Sequence, residues 1–390
     1  MDDLPFRLAR RFRRQQEFAA ASSPLSARLC GLIADWLGAG CGKDPLVDWL
    51  LAAAHPRASF EVPLLLLAGL HRDVLAGVAD ARPLGRYFPS AGGTLALDAD
   101  DLAASLRQAI LARREALAEF IAHATVQTNE TARGLCWLLP VLFTGWPAIH
   151  LLDLGASAGL NLVADQRHYR LLHGEGNEGV LELGCGIPPQ FVVHIEGPLV
   201  APTTTAIPTI RSRIGCDLAP FILRSRREEQ TLAAFVWGDQ SERLARLRQG
   251  IAALHQLDES PVPVRLHQAD LPDALPHILA RHIGPLDDAP LVVFNTYLTT
   301  YLRDKGTALR LHLADWVRQH PQPVLWLQWE PPWQGPEPPR FGWLYWTADL
   351  WSNGRHRRWH LAWTHPHGNQ LQWLPDWQAW ANFWRQQQEP

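Results

Sequence analysis

Lysine is almost absent from this 390-residue chain: Lys43 and Lys305 are the only two among 36 basic residues. The basic character is arginine, which reads as a composition bias of the genome. Acidic residues number 39, so the formal net charge is -3. That balance gives no global electrostatic reason to bind nucleic acid or an anionic lipid surface. Cysteines are few and unpaired in spacing: Cys30, Cys41, Cys136, Cys185 and Cys216 form no C-x-x-C motif. A disulfide framework and a structural zinc site are thereby disfavoured, and a reduced compartment is expected. Long apolar runs are missing too. The longest, Val62 to Leu70, is too short to span a bilayer, and the polar, Arg-rich start is unlike an apolar signal segment. These absences predict a soluble cytoplasmic protein.

What is present divides into two patterns. Up to about residue 145, apolar residues recur at three-to-four spacing over Phe6 to Ala21, Leu25 to Leu37, Pro45 to Ala54, Val62 to Ala79 and Asp101 to Phe120. A further helix is predicted over Thr128–Leu139, capped by Thr128 or Asn129. From about 146 the pattern changes. Short apolar runs at Ile149–Leu154, Ser212–Cys216, Val264–Gln268, Leu291–Asn295 and Val324–Trp329 read as strands. Helical stretches are predicted at Leu160–Leu172, Gln240–Leu257 and Thr307–Arg318. Such alternation predicts a parallel, helix-covered sheet. Period-two segments at Gly342–Leu350 and Arg358–Trp363 predict a closing antiparallel pair. The Gly-, Pro- and Thr-rich stretch 173–210 reads as an insertion. The expectation is a helical domain over 1–145 and an α/β, Rossmann-like domain over 146–390, with the helices shaping the mouth of its site.

The chemistry is carried by Asp153-Leu-Gly-Ala-Ser-Ala-Gly-Leu-Asn161, a turn of small residues after a strand. Such a turn brings backbone N–H groups close to a ligand, and a following helix adds its positive end. Three readings compete. A dinucleotide fingerprint needs G-x-G-x-x-G, but Ser157 and Leu160 replace its second and third glycines. Gly155 to Gly159 also spells G-x-S-x-G, a hydrolase nucleophile elbow, with Ser157 as nucleophile and His360 or His365 as base. The third reading is a turn resembling the D-x-G-x-G-x-G of class I methyltransferases, which bind S-adenosylmethionine. Asp153, Gly155 and Gly159 match it and Ser157 departs. A second candidate, Glu182 to Gly186, is followed by Pro188 and Pro189, where no helix can start, so it is assigned to a hairpin.

Later strands add to the methyltransferase resemblance in the right order. Ile214-Gly-Cys-Asp-Leu218 resembles the signature of the second strand, which implies Asp217 at the ribose hydroxyls with Leu218 beside it. Asp270, after the third strand, matches the acid that meets the adenine amino group in that family. Asn295 and Tyr297 partly resemble an N-P-P-Y motif without its prolines. The resemblance implies a cofactor set of Asn129, Arg133, Asp153, Gly155, Ala156, Ser157, Gly159, Asn161, Asp217, Leu218 and Asp270. Asn295, Tyr297, Tyr301 and Glu330 are the candidates for catalysis on a small-molecule acceptor. The whole chain also resembles an uncharacterised bacterial family, the domain of unknown function 2332, through Thr128–Arg133, Gly155–Asn161, Arg213–Pro220 and Val236–Arg243.

Other features have plainer readings. Asp239 and Glu242 have capping-box spacing. Twelve of the 18 tryptophans lie between 326 and 384, either as strand packing or as an aromatic pocket. His356, His360, His365 and His367 lack a metal-ligand spacing. Arg7 to Arg14 reads as the solvated face of a helix. A serine hydrolase and a non-catalytic nucleoside-binding module remain the alternatives to a methyltransferase.

Overall fold

A computed structural model describes residues 4–39, 44–58, 60–127, 129–174, 179–187, 191–198, 200–333 and 335–388. Cys41, Lys43, Thr128, Pro188 and Pro189, each used in the sequence argument, lie outside the described residues. The chain forms two units, Met1–Thr128 with Leu223–Arg248, and Asn129–Ile222 with Gln249–Pro390. The boundary expected near 145 therefore falls inside the second unit, just before its first strand. Among the described residues no single helix is long and apolar enough to cross a membrane.

The first unit is helical. Helices Leu4–Ala19, Pro24–Gly38, Pro45–Ala54, Val62–Leu75, Leu102–Ala112 and Arg114–His123 turn their apolar stripes inward on Phe12, Leu29, Ile33, Leu50, Leu66 and Ile110. The predicted helix over Asp101–Phe120 is broken at Arg113, whose Nε pairs with buried Asp73 at 2.9 Å. Helix Arg226–Ala234 belongs to the same core through Ala234. Asp239 reaches beyond its own helix. It accepts the Ser23 hydroxyl and, at 2.9 Å, the Leu25 N–H, and so closes the start of helix Pro24–Gly38. His71 is buried; its Nδ1 donates to the Ala234 carbonyl and its Nε2 meets Ser90 Oγ at 2.7 Å. Burial brings its pKa down to about 4, so the ring is a neutral peg in the core.

The second unit is mixed α/β, built on one large, mostly parallel sheet. Its strands are β1 Ala148–Leu154, β2 Tyr169–His173, β3 Gly179–Leu183, β4 Phe191–Glu196, β5 Thr209–Asp217, β6 Val264–Gln268, β7 Leu291–Thr296, β8 Val324–Glu330, β9 Leu344–Ser352, β10 Arg355–Thr364 and β11 Gln370–Trp373. Their order is β3-β2-β4-β11-β10-β9-β8-β7-β1-β5-β6. The five strands read from the sequence form one parallel block, β6-β5-β1-β7-β8, and the closing pair is the antiparallel β9–β10. β1 is central, with connections leaving to either side. In open α/β sheets ligands bind at such a reversal of strand order, outside the carboxyl ends. Alternation buries both faces: Ile149 and Leu151 pack with Val292, Phe294 and Leu327, while Leu152 and Leu154 pack with Val293, Val324 and Trp326. Asp153 thus shares the face of Leu151.

Two expectations change here. Residues 160–172 are not a helix: turns lead into a short 3-10 segment, Ala164–Gln166, and then β2. The cause is Arg213. Its buried guanidinium grips both Asp165 oxygens at 2.6 and 2.5 Å and also takes the Leu162 carbonyl, an acceptor that a helix would need. The stretch 173–210 is more than an inserted loop, since β3 and β4 lie in it and extend the sheet beside β2. Glu182 to Gly186 does lie at the end of the β2–β3 hairpin. The tryptophan-rich end is mostly core: Trp326, Trp329, Trp346, Trp377 and Trp380 are fully buried, and Trp373 stacks on Trp377 at 4.2 Å.

Candidate functional site

Every residue singled out from the sequence in the parallel block stands at the carboxyl end of its strand. Asp153 is next to last in β1, Asp217 ends β5, Asp270 follows β6, Asn295 is next to last in β7 with Tyr297 just after it, and Glu330 ends β8. Two residues of this edge, Ser157 at φ 48° and Tyr297 at φ 64°, adopt the left-handed backbone that non-glycine residues avoid. Strain of this kind collects where function over-determines the chain.

Asp153 is the unusual group. Four aspartates are buried among the described residues. Asp73 faces Arg113, Asp165 faces Arg213 and Asp349 faces Arg310. Among the described residues Asp153 faces no cation, and its Oδ2 is buried without a hydrogen-bond partner. Burial, then the negative charge of Asp217, pushes its carboxyl well above the usual range. An unsatisfied buried oxygen of this sort costs about 1–3 kcal/mol. Asn161 Oδ1, after the turn, is likewise buried and unpartnered. Asn161 Oδ1 can only accept, and Asp153 Oδ2 accepts in its ionised form, which a cationic donor placed beside it would favour.

The turn itself is built differently from the expected amide cradle. The N–H groups of Gly155 and Ala156 both donate to the Cys216 carbonyl, at 2.8 and 3.0 Å. The Ser157 N–H donates to Asp217 Oδ2 at 2.9 Å, and the Gly159 N–H to the Ala156 carbonyl at 2.7 Å. These amides are spent on the protein, and no helix follows to add its dipole. Gly155, at φ 83°, and Gly159, at φ 73°, are required by conformation. They are also required by space: a Cβ at Gly155 would stand 3.0 Å from Leu298 Cδ1. Asp217 is half-buried and tied to the turn, its Oδ1 accepting from the Ala219 N–H at 2.9 Å. Leu218 and Asp270 are exposed on the same edge.

Asn295 and Glu330 form a buried pair. Asn295 Nδ2 donates to Glu330 Oε1 at 2.5 Å, while its Oδ1 accepts the Trp326 indole N–H at 2.7 Å. Glu330 also accepts from the N–H groups of Leu298 and Thr299, each at 2.9 Å, and from the Thr299 hydroxyl at 2.6 Å. Burial raises its pKa against the pull of those donors. Its place at the end of β8 suggests a general base or a rim acid; with four donors in place it is poorly disposed to act as the base. Arg133 lies in the 3-10 segment Thr131–Gly134, over the Tyr297 ring at 5.1 Å, and its Nε donates to the Pro366 carbonyl. Burial raises the Tyr297 pKa, with the charges of Tyr301 and Glu330 adding to it and that of Arg133 opposing. Tyr301 is 62% exposed, and Asn129 is half-buried.

Sequence reasoning missed three contributors. Cys136 is a fully buried thiol pushed up by burial and by the charges of Glu330 and Asp153. Leu298 and Thr299 follow a strand end without any motif. The Asp165–Arg213 pair joins residues 48 apart. A shallow cavity of about 520 Å³ lies beside that pair, bordered by Gln166, Cys185, Ile210 and Val262. It does not border Asp153. Among the described residues no group of histidine, cysteine and acidic side chains could hold a metal ion.

No curated protein and no solved structure matches the chain. The profile of one family, described as an uncharacterized protein conserved in bacteria (DUF2332), matches residues 9–373. The protein belongs to the DUF2332 family.

Proposed function

We propose that the second unit binds S-adenosylmethionine at the carboxyl ends of β1 and β5 and transfers its methyl group to a small-molecule acceptor. The observation behind this reading is the buried, unpartnered Asp153 oxygen beside the charge of Asp217. Two carboxylates and a turn with its amides already used repel a phosphate and offer it no donors. That weighs against a dinucleotide. A ligand with an ammonium, a sulfonium and a ribose diol suits the same groups. Asp153 would take the ammonium. Asp217 would take the ribose hydroxyls, for which each oxygen keeps acceptor capacity. Asp270 stands on the side of β6 where the adenine amino group would fall. The parallel order β6-β5-β1-β7-β8 is compatible with this assignment.

The cofactor supplies a methyl carbon already activated by its sulfonium. The protein's part is then alignment, which can contribute up to about 7–11 kcal/mol. Asn295 is held rigid by Trp326 and Glu330, and Tyr297 by its backbone and by Arg133. Tyr297 therefore stands as a fixed wall for the acceptor, with the buried Asn295 supporting its strand end. Tyr297 and Tyr301 are the candidate proton acceptors for a substrate that must lose a proton.

Titration with S-adenosylhomocysteine, followed by thermal shift and calorimetry, tests the reading. At a hundredfold excess over its Kd the ligand should add about 2.7 kcal/mol of stability. Asp217→Ala should remove that shift; a shift unchanged by this substitution overturns the assignment. Tight binding without methyl transfer to any acceptor class would point to a binding module. A second reading has its own observation: Ser157 is at φ 48°, the strained backbone of a nucleophile elbow. Fluorophosphonate labelling that disappears in Ser157→Ala would favour a hydrolase.

A further inference from the structure

Helix Leu4–Ala19 has an outer face that the core does not use. Leu8 and Phe12 anchor the helix in the first unit. On the opposite side Phe6, Arg10, Arg14 and Phe18 follow one another at four-residue steps and are all exposed. That spacing sets them in one ridge along the helix, about 18 Å from end to end. Phe6 is 63% exposed and Phe18 62%. The Phe18 ring meets Trp237 edge-on at 5.9 Å, so two aromatic side chains stand together at that end. Arg7 and Arg13 flank the ridge and are exposed too. Arg13 is committed to Asp35 and, at 2.9 Å, to Gln16. Among the described residues Arg10 and Arg14 have no acidic partner. Glu17 is the single acid of the helix, against five arginines.

We propose that this face is a peripheral docking surface for an anionic lipid bilayer, with Arg10 and Arg14 on the headgroup phosphates and Phe6 and Phe18 dipping between the headgroups at either end. A solvated helix face accounts for the arginines. It does not account for two large rings left in water on the same ridge, when Leu8 and Phe12 already fix the helix. A partner that answers both has negative charge laid over apolar material, which is the layering of a bilayer interface. A guanidinium suits phosphate through its paired N–H donors. The chain as a whole carries a formal charge of -3, so the attraction is local to this helix and acts within a Debye length, about 8–10 Å. A straight ridge with cations between its rings fits a flat surface. Single-stranded nucleic acid offers phosphates as well, but it favours rings spaced for successive bases, and Phe6 and Phe18 stand too far apart for that. The inference is independent of the ligand site proposed at Asp153.

Vesicle sedimentation with the full chain tests this. The protein should partition onto vesicles of phosphatidylglycerol and phosphatidylcholine in equal parts and hardly at all onto phosphatidylcholine alone. The partition should weaken as salt is raised from about 0.1 M to about 1 M. Replacing Arg10 and Arg14 together by alanine should lower it about twenty-fivefold, about fivefold for each arginine. Both side chains are exposed, so the fold is kept, and an unchanged thermal unfolding curve confirms that. Arg318→Ala, which removes an exposed arginine from the second unit, should leave the partition as it is. Phe6→Ala with Phe18→Ala should lower it several-fold at every salt concentration. Equal partition onto neutral and anionic vesicles, or onto neither, overturns the proposal. So does a loss in the Arg10 and Arg14 variant no larger than that of Arg318→Ala, or full binding by the variant without its two rings. Binding of single-stranded RNA with the same arginine dependence, and none of vesicles, overturns it in favour of a nucleic acid partner.

Discussion

Asp153 and Asp165 lie twelve residues apart, on either side of the same turn, and both are buried. Asp165 is held by the two-pronged grip of Arg213, which ties β5 to the loop after the turn. Asp153 sits among Cys136, Asp217 and apolar neighbours, with one oxygen bonded to nothing. Burial alone therefore does not mark a functional acid. The paired aspartate shapes the chain, replacing a helix by a turn. The bare one carries an unsatisfied cost that folding does not explain, and a donor-bearing ligand would relieve it.

The comparison can be broken or sharpened by mutation. The largest effect is expected for Asp165→Ala, which strands the Arg213 charge in the core and should cost about 3–5 kcal/mol in chemical denaturation. A loss under 1 kcal/mol would mean that the pair is not what shapes the loop. Asp153→Asn should act in the opposite direction, stabilising the ligand-free protein by about 1–3 kcal/mol at pH 7. The sign follows from the raised carboxyl. The folded state holds its proton more tightly than the unfolded one, so wild-type stability falls as pH rises above the unfolded value of about 4. The gain from Asp153→Asn should shrink as pH is lowered toward that value. A destabilised Asp153→Asn at pH 7 would place Asp153 with the structural acids. The smallest effect is expected for Arg318→Ala. Its pairing with Asp315 is solvent-exposed, and the change should stay within about 0.5 kcal/mol.

The sequence shows where the site lies more clearly than how it is made. Apolar runs such as Leu291–Asn295 and Val324–Trp329 are legible because a strand buried on both faces leaves an uninterrupted hydrophobic signal. The acids at their ends could be placed for the same reason. What could not be read depends on partners far along the chain. Leu160 to Leu172 has an acceptable helical pattern, and only the arrival of Arg213 from β5 makes the turn win. The amides after Asp153 looked available because the Cys216 carbonyl and the Asp217 carboxylate, some 60 residues on, could not be known to take them. Glu330 could be read as a base or a rim acid because its four donors come from Asn295 and from a segment with no motif.

The return of Leu223–Arg248 to the helical unit has a consequence for synthesis and for protein engineering. No N-terminal fragment ending at 128 contains helix Arg226–Ala234, the carbonyl that receives His71, or the carboxylate that closes helix Pro24–Gly38. On the ribosome the first unit must therefore wait, incomplete, until residue 248 has emerged. By then β1 to β5 of the second unit have already left the exit tunnel. The two cores are interleaved in time, and neither can be excised as a contiguous piece of the gene.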